Sequence, residues 1–288
     1  MMEQTIKITE KLLLSKNEIH LWTVKPQDLF QERGSDLLKK RYQDLLTDDE
    51  TIKQQRYKFE IDKHDALITR VFIRDLLSYY TEVVPSDWRF YKGEKGKPEI
   101  INPPLPLRFN ISHTKDLIIC AVTLTDDIGC DVENTTRSND VLSIASRYFS
   151  PSETQALFSL PKEQQRQRFF DYWTLKESYI KAWGLGLAIP LRDFNFNIAR
   201  YNNKHPSSHL NDSVINQEMK INSNISLTFA EHRVDEPKLW RSWLFYPSDK
   251  HRIALSLRAK SDNQSTQYHF RFFNSIPLVS CVEIKPKQ

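Results

Sequence analysis

Apolar positions along this chain recur at two different spacings, and the change from one spacing to the other marks out the elements. Residues Glu18 to Val24 read as a strand and Ser35 to Leu46 as a helix. Thr47-Asp-Asp-Glu50 has the form of a capping box and predicts a helix running to about Phe59. Asp62 is placed to cap the next helix, whose apolar positions Leu67, Val71, Ile73, Leu76 and Leu77 predict a buried face ending near Tyr80. Trp88 to Tyr91 and Leu117 to Leu124 read as strands, separated by a loop that Pro103, Pro104 and Pro106 punctuate.

In the second half, Ser150-Pro151-Ser-Glu153 combines a cap, a first-turn proline and a glutamate at the third position, which opens a helix. A long helix follows from about Pro161 to Trp183 and stops at Gly184 and Gly186. The runs Phe194–Ile198, Ile225–Ala230, Leu239–Tyr246, Arg252–Leu257 and Tyr268–Phe273 read as antiparallel strands. Tyr201 to Ser223 is rich in Asn, Ser and His and poor in apolar residues. It predicts a surface insertion or disordered loop in which His205 and His209 are solvated.

Composition narrows the class without naming it. The 288 residues suit one large domain or two small ones, and 39% hydrophobic with 27% charged residues is an ordinary globular balance. A net charge of +4 argues against bulk nucleic-acid binding and is compatible with an anionic cofactor and acidic partners. Cys120, Cys130 and Cys281 have no CxxC spacing and read as reduced core residues, which points to the cytoplasm. No stretch approaches the roughly 18 apolar residues of a membrane span, and Met1 to Glu10 lacks the apolar core of an export signal.

Candidate chemistry gathers in three short motifs. Gly129-Cys-Asp131-Val-Glu133 follows the Leu117–Leu124 run, and a period of two sends Asp131 and Glu133 to one side, with Cys130 and Val132 facing a core. Two adjacent carboxylates repel unless a cation lies between them, and a hard ion such as Mg2+ takes oxygen ligands. In Trp173-Thr-Leu-Lys176-Glu177-Ser-Tyr-Ile-Lys181, residues Trp173, Glu177 and Lys181 share one helical stripe. Alone, such a Glu–Lys pair is a solvated contact worth about 0.2–0.5 kcal/mol. Phe109-Asn110-Ile-Ser112-His113, preceded by Gly96-Lys97-Pro98, offers a hydroxyl, an imidazole and a glycine-freed backbone beside lysine, which suits a phosphate.

Taken in this order and spacing, the motifs resemble those of the 4′-phosphopantetheinyl transferases, specifically the Sfp-like group, over roughly Lys53 to Phe196. The resemblance implies an α+β fold of two similar halves in a pseudo-twofold arrangement, here 1–126 and 127–288, with coenzyme A held between them. It implies transfer of the phosphopantetheine arm of coenzyme A to a serine of an apo acyl, peptidyl or aryl carrier protein, releasing 3′,5′-ADP. Asp131, Glu133 and Glu177 match the ligands of Mg2+, with Mn2+ as a substitute, and Asp131 also lies in the cofactor-binding set. Lys181 matches the lysine on the coenzyme A phosphates, and Lys97, Pro98, Ser112 and His113 match nucleotide-binding loops. Lys53 and Arg56 are looser matches for the 3′-phosphate. Glu177 has a second role open to it as general base. The same resemblance implies a monomer.

A non-catalytic coenzyme A or nucleotide-binding module remains the alternative, and it has no need of three acidic positions. A metal-dependent phosphohydrolase would leave the Trp-x-x-Lys-Glu and Phe-Asn-x-Ser-His runs unexplained. Residues beyond about Ala259 read as a C-terminal extension. Phe149, Leu157 and Phe158 are either helix core or part of a carrier-docking surface.

Overall fold

The computed structural model describes residues 5–30, 35–93, 96–184, 189–199, 219–260 and 266–285. In chain order the elements are β1 (Thr5–Lys7), β2 (Glu18–Val24), α1 (Ser35–Gln43), α2 (Asp48–Gln55), α3 (Glu60–Ser78), β3 (Phe90–Lys92), β4 (Pro98–Ile100), β5 (Leu107–Thr114), β6 (Leu117–Leu124) and β7 (Asp127–Asn134). They continue as α4 (Val141–Tyr148), α5 (Pro151–Phe158), α6 (Lys162–Trp183), β8 (Phe194–Ile198), β9 (Lys220–Asn222), β10 (Ile225–Phe229), β11 (Trp240–Ser248), β12 (His251–Arg258), β13 (His269–Ile276) and β14 (Ser280–Ile284).

Two sheets face each other, and each carries one long helix on its outer side. The first has the order β1-β14-β13-β2-β6-β5 and the second β7-β12-β11-β9. Alternation along β6 explains the layering: Ile118, Cys120 and Val122 pack with α3 residues such as Leu67, Val71 and Phe72, while Leu117, Ile119 and Ala121 face the second sheet. Along β7, Ile128, Cys130 and Val132 meet that inter-sheet core, which leaves Gly129, Asp131 and Glu133 on the side of α6. Strands buried on both faces read as unbroken apolar runs, as Leu117–Leu124 does. The fold is α+β, with a helix-on-sheet unit repeated in each half.

Several boundaries differ from the sequence reading, each for a physical reason. The capping box on Thr47 and Glu50 is present, but α2 buries none of its residues and stops at Gln55 rather than continuing to Phe59. Phe59, in extended conformation and without a side-chain cap, starts α3, so Asp62 lies in its first turn instead of capping it. Pro85 opens a short 3-10 turn, and the strand begins at Phe90 instead of Trp88. The short α4, capped by Asp140, is absent from the sequence reading, although its cap and its apolar positions Val141, Ile144, Ala145 and Tyr148 signal an amphipathic helix. Within the polar segment 201–223, Lys220–Asn222 is a strand paired with β11, and Met219 is buried, so this end is neither loop nor insertion. His205, His209 and Gly186 lie outside the described residues.

The largest difference concerns the C-terminal stretch. β13 runs parallel to β2, with Phe272 opposite Leu21 and Phe273 opposite Trp22, and β14 returns antiparallel to it. Residues expected as an extension of the second half are therefore hydrogen-bonded into the first sheet. All three cysteines are buried and free. Among the described residues no helix is long and apolar enough to cross a membrane.

Candidate functional site

The site is created by a close approach of β7 to α6. A Cβ placed on Gly129 would lie 2.0 Å from Ser178 O and 2.3 Å from Ala182 N, both backbone atoms, so only glycine lets the helix sit this near the strand. The next residues on that face of the strand, Asp131 and Glu133, are thereby brought to Glu177 and Lys181 of the helix. Lys181 Nζ lies 2.6 Å from Asp131 Oδ1 and donates to Ser112 Oγ at 2.9 Å. Ser112 Oγ in turn donates to Asp131 Oδ1 at 2.9 Å and accepts from Val132 N at 3.3 Å. One hydrogen and two lone pairs are all a hydroxyl has, so Ser112 is saturated. The second oxygen of Asp131, Oδ2, is buried without a hydrogen-bond partner.

Ser112 belongs to a ladder of side chains that joins the two sheets. Cys130 N donates to Asn110 Oδ1 at 2.9 Å, Val132 N to Ser112 Oγ, and Asn134 N to Thr114 Oγ1 at 3.2 Å. Side-chain oxygens at every second residue of β5 thus stand where a paired strand would offer carbonyls. Ser112 and His113, expected in a nucleotide-binding loop, are on a regular strand.

Electrostatics on this face are dominated by crowded carboxylates. Burial first, then Asp131 and Glu133, push the carboxyl of Glu177 up to about 7 against the opposing pull of Lys181. Burial and then Asp131 also raise Glu133, although Arg137 donates to it at 2.8 Å. Burial works against the Lys181 ammonium, but Asp131, Cys130 and Glu177 outweigh it and hold its pKa above the ordinary lysine value. The cluster is short of positive charge.

Asp131, Glu133 and Lys181 line one wall of a cleft of about 710 Å³. The opposite wall comes from α2, α3 and the β3 segment and mixes Lys53, Arg70, Arg74, Arg89 and Lys92 with Asp49, Glu50, Asp62 and Asp65. Arg74 is almost fully buried, donates to Glu50 Oε2 at 2.9 Å and lies over the Phe90 ring at 5.2 Å. Glu50 Oε2 also accepts from Thr47 N at 3.0 Å, so the cap of α2 and the cleft wall share one carboxylate. These arginines were not singled out from sequence. Their signal was there: Arg70 and Arg74 are one turn apart at the edge of an apolar helical face.

Of the sequence candidates, Lys53, Pro98, Ser112, His113, Asp131, Glu133 and Lys181 line this cleft. Glu177 stands one turn before Lys181, half-buried, behind the wall. Lys97 does not reach the cleft: its Nζ donates to Ile128 O at 3.2 Å and to Ala182 O at 3.3 Å, tying β7 to the last turn of α6. Burial lowers its pKa, which agrees with that structural use. Arg56 is the exposed C-cap of α2. Trp173 stacks on Phe169, and Lys176 is a fully buried partner of Glu153 at 2.7 Å. Phe149 and Leu157 are core, and Phe158 is 45% exposed.

Asp131, Glu133 and Glu177 were expected to share one Mg2+. The donors fit a hard divalent ion in kind: all are carboxylate oxygens, their mutual repulsion calls for a cation, and Asp131 Oδ2 is free of other partners. They are not drawn into one shell here, since among the described residues no three His, Cys, Asp or Glu side chains converge to hold a metal. Lys181 and Arg137 hold the positions facing Asp131 and Glu133 instead.

Comparison with known proteins gives this geometry its class. Residues 127–256 match the 4′-phosphopantetheinyl transferase superfamily, and residues 39–125 match the N-terminal region of a 4′-phosphopantetheinyl transferase. The 4′-phosphopantetheinyl transferase HetI of Nostoc sp. is 36% identical over 62% of this chain and 73% of its own length. The 4′-phosphopantetheinyl transferase Sfp of Bacillus subtilis is 36% identical over 54% of this chain and 67% of its own. That of Aneurinibacillus migulanus, gsp, is 34% identical over 49% and 59%. The chain belongs to the 4′-phosphopantetheinyl transferase superfamily.

Proposed function

We propose that this protein transfers the 4′-phosphopantetheine arm of coenzyme A to a serine of an apo carrier protein, releasing 3′,5′-ADP. The observation that carries the proposal is the Asp131–Ser112–Lys181 contact on one wall of a cleft whose other wall includes Lys53, Arg70, Arg89 and Lys92, in a chain of this superfamily. A phosphate-rich substrate meets cations on one side and carboxylates able to take a metal on the other.

The chain's own groups have separable tasks in such a transfer. The carrier serine oxygen bonds to the phosphorus that carries the pantetheine arm, and the bond from that phosphorus to the 3′,5′-ADP oxygen breaks. Phosphoryl transfer asks mainly for positioning and charge stabilisation. Arg70, Arg89 and Lys53 face the cleft from the wall where nucleotide phosphates need cations. Lys181, a compact point charge, stabilises the leaving 3′,5′-ADP. Glu177 suits the acceptance of the serine proton directly or through water, provided that a bound metal leaves one of its oxygens free. Mg2+ bound by Asp131, Glu133 and Glu177 would neutralise the pyrophosphate oxygens. The breadth of carriers associated with the Sfp-like group, acyl, peptidyl or aryl, belongs to this reading, as do a monomeric state and a cytoplasmic location.

The test is to incubate the protein with coenzyme A, Mg2+ and an apo carrier, then weigh the carrier. The carrier should gain the mass of one phosphopantetheine with wild type and none with Asp131→Ala. An unchanged carrier with wild type, or a full rate in excess chelator, would overturn the reading or its metal requirement respectively.

A further inference from the structure

The side of α6 turned away from the cleft is held near its C-terminal end by a carboxylate from an exposed connector. Tyr179 and Trp183 each lie two residues beyond Glu177 and Lys181, so at about 100° per residue they point to the opposite side of the helix. Tyr179 Oη donates to Asp235 Oδ2 at 2.6 Å, Trp183 Nε1 is shared between the same oxygen at 3.1 Å and Tyr179 Oη at 2.9 Å, and Trp240 Nε1 and Glu236 N donate to Asp235 Oδ1 at 3.0 and 2.9 Å. The rings are packed as well, with Tyr179 at 4.4 Å from Phe194 and 4.5 Å from Trp240, centroid to centroid. Asp235 sits in the connector between β10 and β11, where Val234 and Glu236 are exposed, yet its own side chain is fully buried. Arg233 Nη2 stands 4.0 Å from it. Burying a carboxylate whose nearest cation stands 4.0 Å away is costly even with four neutral donors, and packing alone would be served better by an apolar side chain.

We infer that Asp235 is a positioning residue for the reaction, fixing the rotation of α6 about its axis and with it the place of Lys181. This rests on the function proposed above. Lys181 stands in the chain between the two residues Asp235 holds, so a turn that frees Tyr179 and Trp183 carries Lys181 Nζ off Asp131 and Ser112. Those contacts, at 2.6 and 2.9 Å, would then lengthen or require a new Lys181 rotamer. Asp235 itself does not line the cleft.

Asp235→Asn keeps the size and replaces one acceptor by an amide NH2, which two of the four donors must then face. Its unfolding midpoint should stay within a few degrees of wild type while kcat falls about tenfold and the carrier KM changes less than about twofold. In a Lys181→Ala background the same change should cost less than about twofold, because the group it acts through is gone. An unchanged kcat in the single variant, or the full tenfold loss repeated in the Lys181→Ala background, would overturn the inference. Tyr179→Phe, which removes one donor, carries the same measurements if Asp235→Asn does not fold. Amide exchange across residues 177–183 needs no substrate: it should quicken in Asp235→Asn, and unchanged exchange sinks the inference even if wild type modifies no carrier. Wild-type inactivity by itself counts against the proposed function instead.

Discussion

The two oxygens of Asp131 have opposite surroundings, one crowded by Lys181 and Ser112 and the other buried without a partner. A second buried carboxylate, Asp75, shows what an incompletely compensated charge does to stability. It is 7% exposed, its Oδ2 has no partner, and burial pushes its pKa up to about 6 against one hydrogen bond from the backbone of Leu278. A raised folded-state pKa means that stability is fully present below the ordinary value of 3.8 and is lost as pH rises through about 6. Asp75→Asn keeps an acceptor for Leu278 and removes the titration. The variant should therefore be more stable than wild type by up to about 3 kcal/mol near neutral pH, and the gain should shrink well below that near pH 4. Urea unfolding at the two pH values checks it, and a gain independent of pH would exclude the mechanism. At this scale the sequence was partly readable. A period of two put Asp131 and Glu133 on one face correctly, because alternation is a property of the strand alone. The saturation of Ser112 and the diversion of Lys97 to the carbonyls of Ile128 and Ala182 depend on neighbours from distant segments, which no local spacing reveals.

Glycine 129 is the point at which two elements decide whether the site exists. Its replacement by alanine meets backbone atoms of α6 at 2.0, 2.3 and 2.9 Å, and backbone cannot turn aside as a side chain can. Either the helix moves off β7 or the strand bends, and both part Asp131 from Lys181. Gly129→Ala should lower stability by about 3 kcal/mol, the upper end for overpacking, and abolish carrier modification in whatever fraction stays folded. Calorimetric unfolding beside the mass assay checks both parts, and wild-type stability would show that β7 and α6 leave room for a methyl group. The motif Gly-x-Asp-x-Glu made this glycine visible in the sequence without its reason. The same holds for Asn110, Ser112 and Thr114: their alternation is plain in the chain, but it means a ladder to Cys130, Val132 and Asn134 only once β5 and β7 are known to be the facing edges of two sheets.

Across the whole molecule, the segments that match the family, 39–125 and 127–256, exclude both β2 and β13, yet these two strands pair in the middle of the first sheet. Periodicity marked each as a strand but carries no direction, so the parallel pairing of His269–Asn274 with Glu18–Thr23 was not legible and Tyr268–Phe273 was expected to run antiparallel. The consequence is that the last strands are core to the first half. Phe273 stacks on Trp22 at 4.5 Å, and Phe272, Phe273 and Ile284 are buried. At about 1.5–3 kcal/mol for each large apolar side chain, losing these three removes about 5–9 kcal/mol, comparable to the roughly 5–15 kcal/mol that keeps a domain folded. Deletion of the hairpin also strips the hydrogen-bond partners from one edge of β2 and the face that covers Trp22. A chain ending at Lys260 retains every residue that lines the cleft, Asp131, Glu133 and Lys181 among them, with Glu177 behind them, and should nevertheless lose its cooperative unfolding transition and its transferase activity together. Thermal unfolding followed by tryptophan fluorescence, beside the carrier mass assay, checks this. A truncated chain that melts within a few degrees of the full one would mean that the first sheet closes on α3 without β13 and β14.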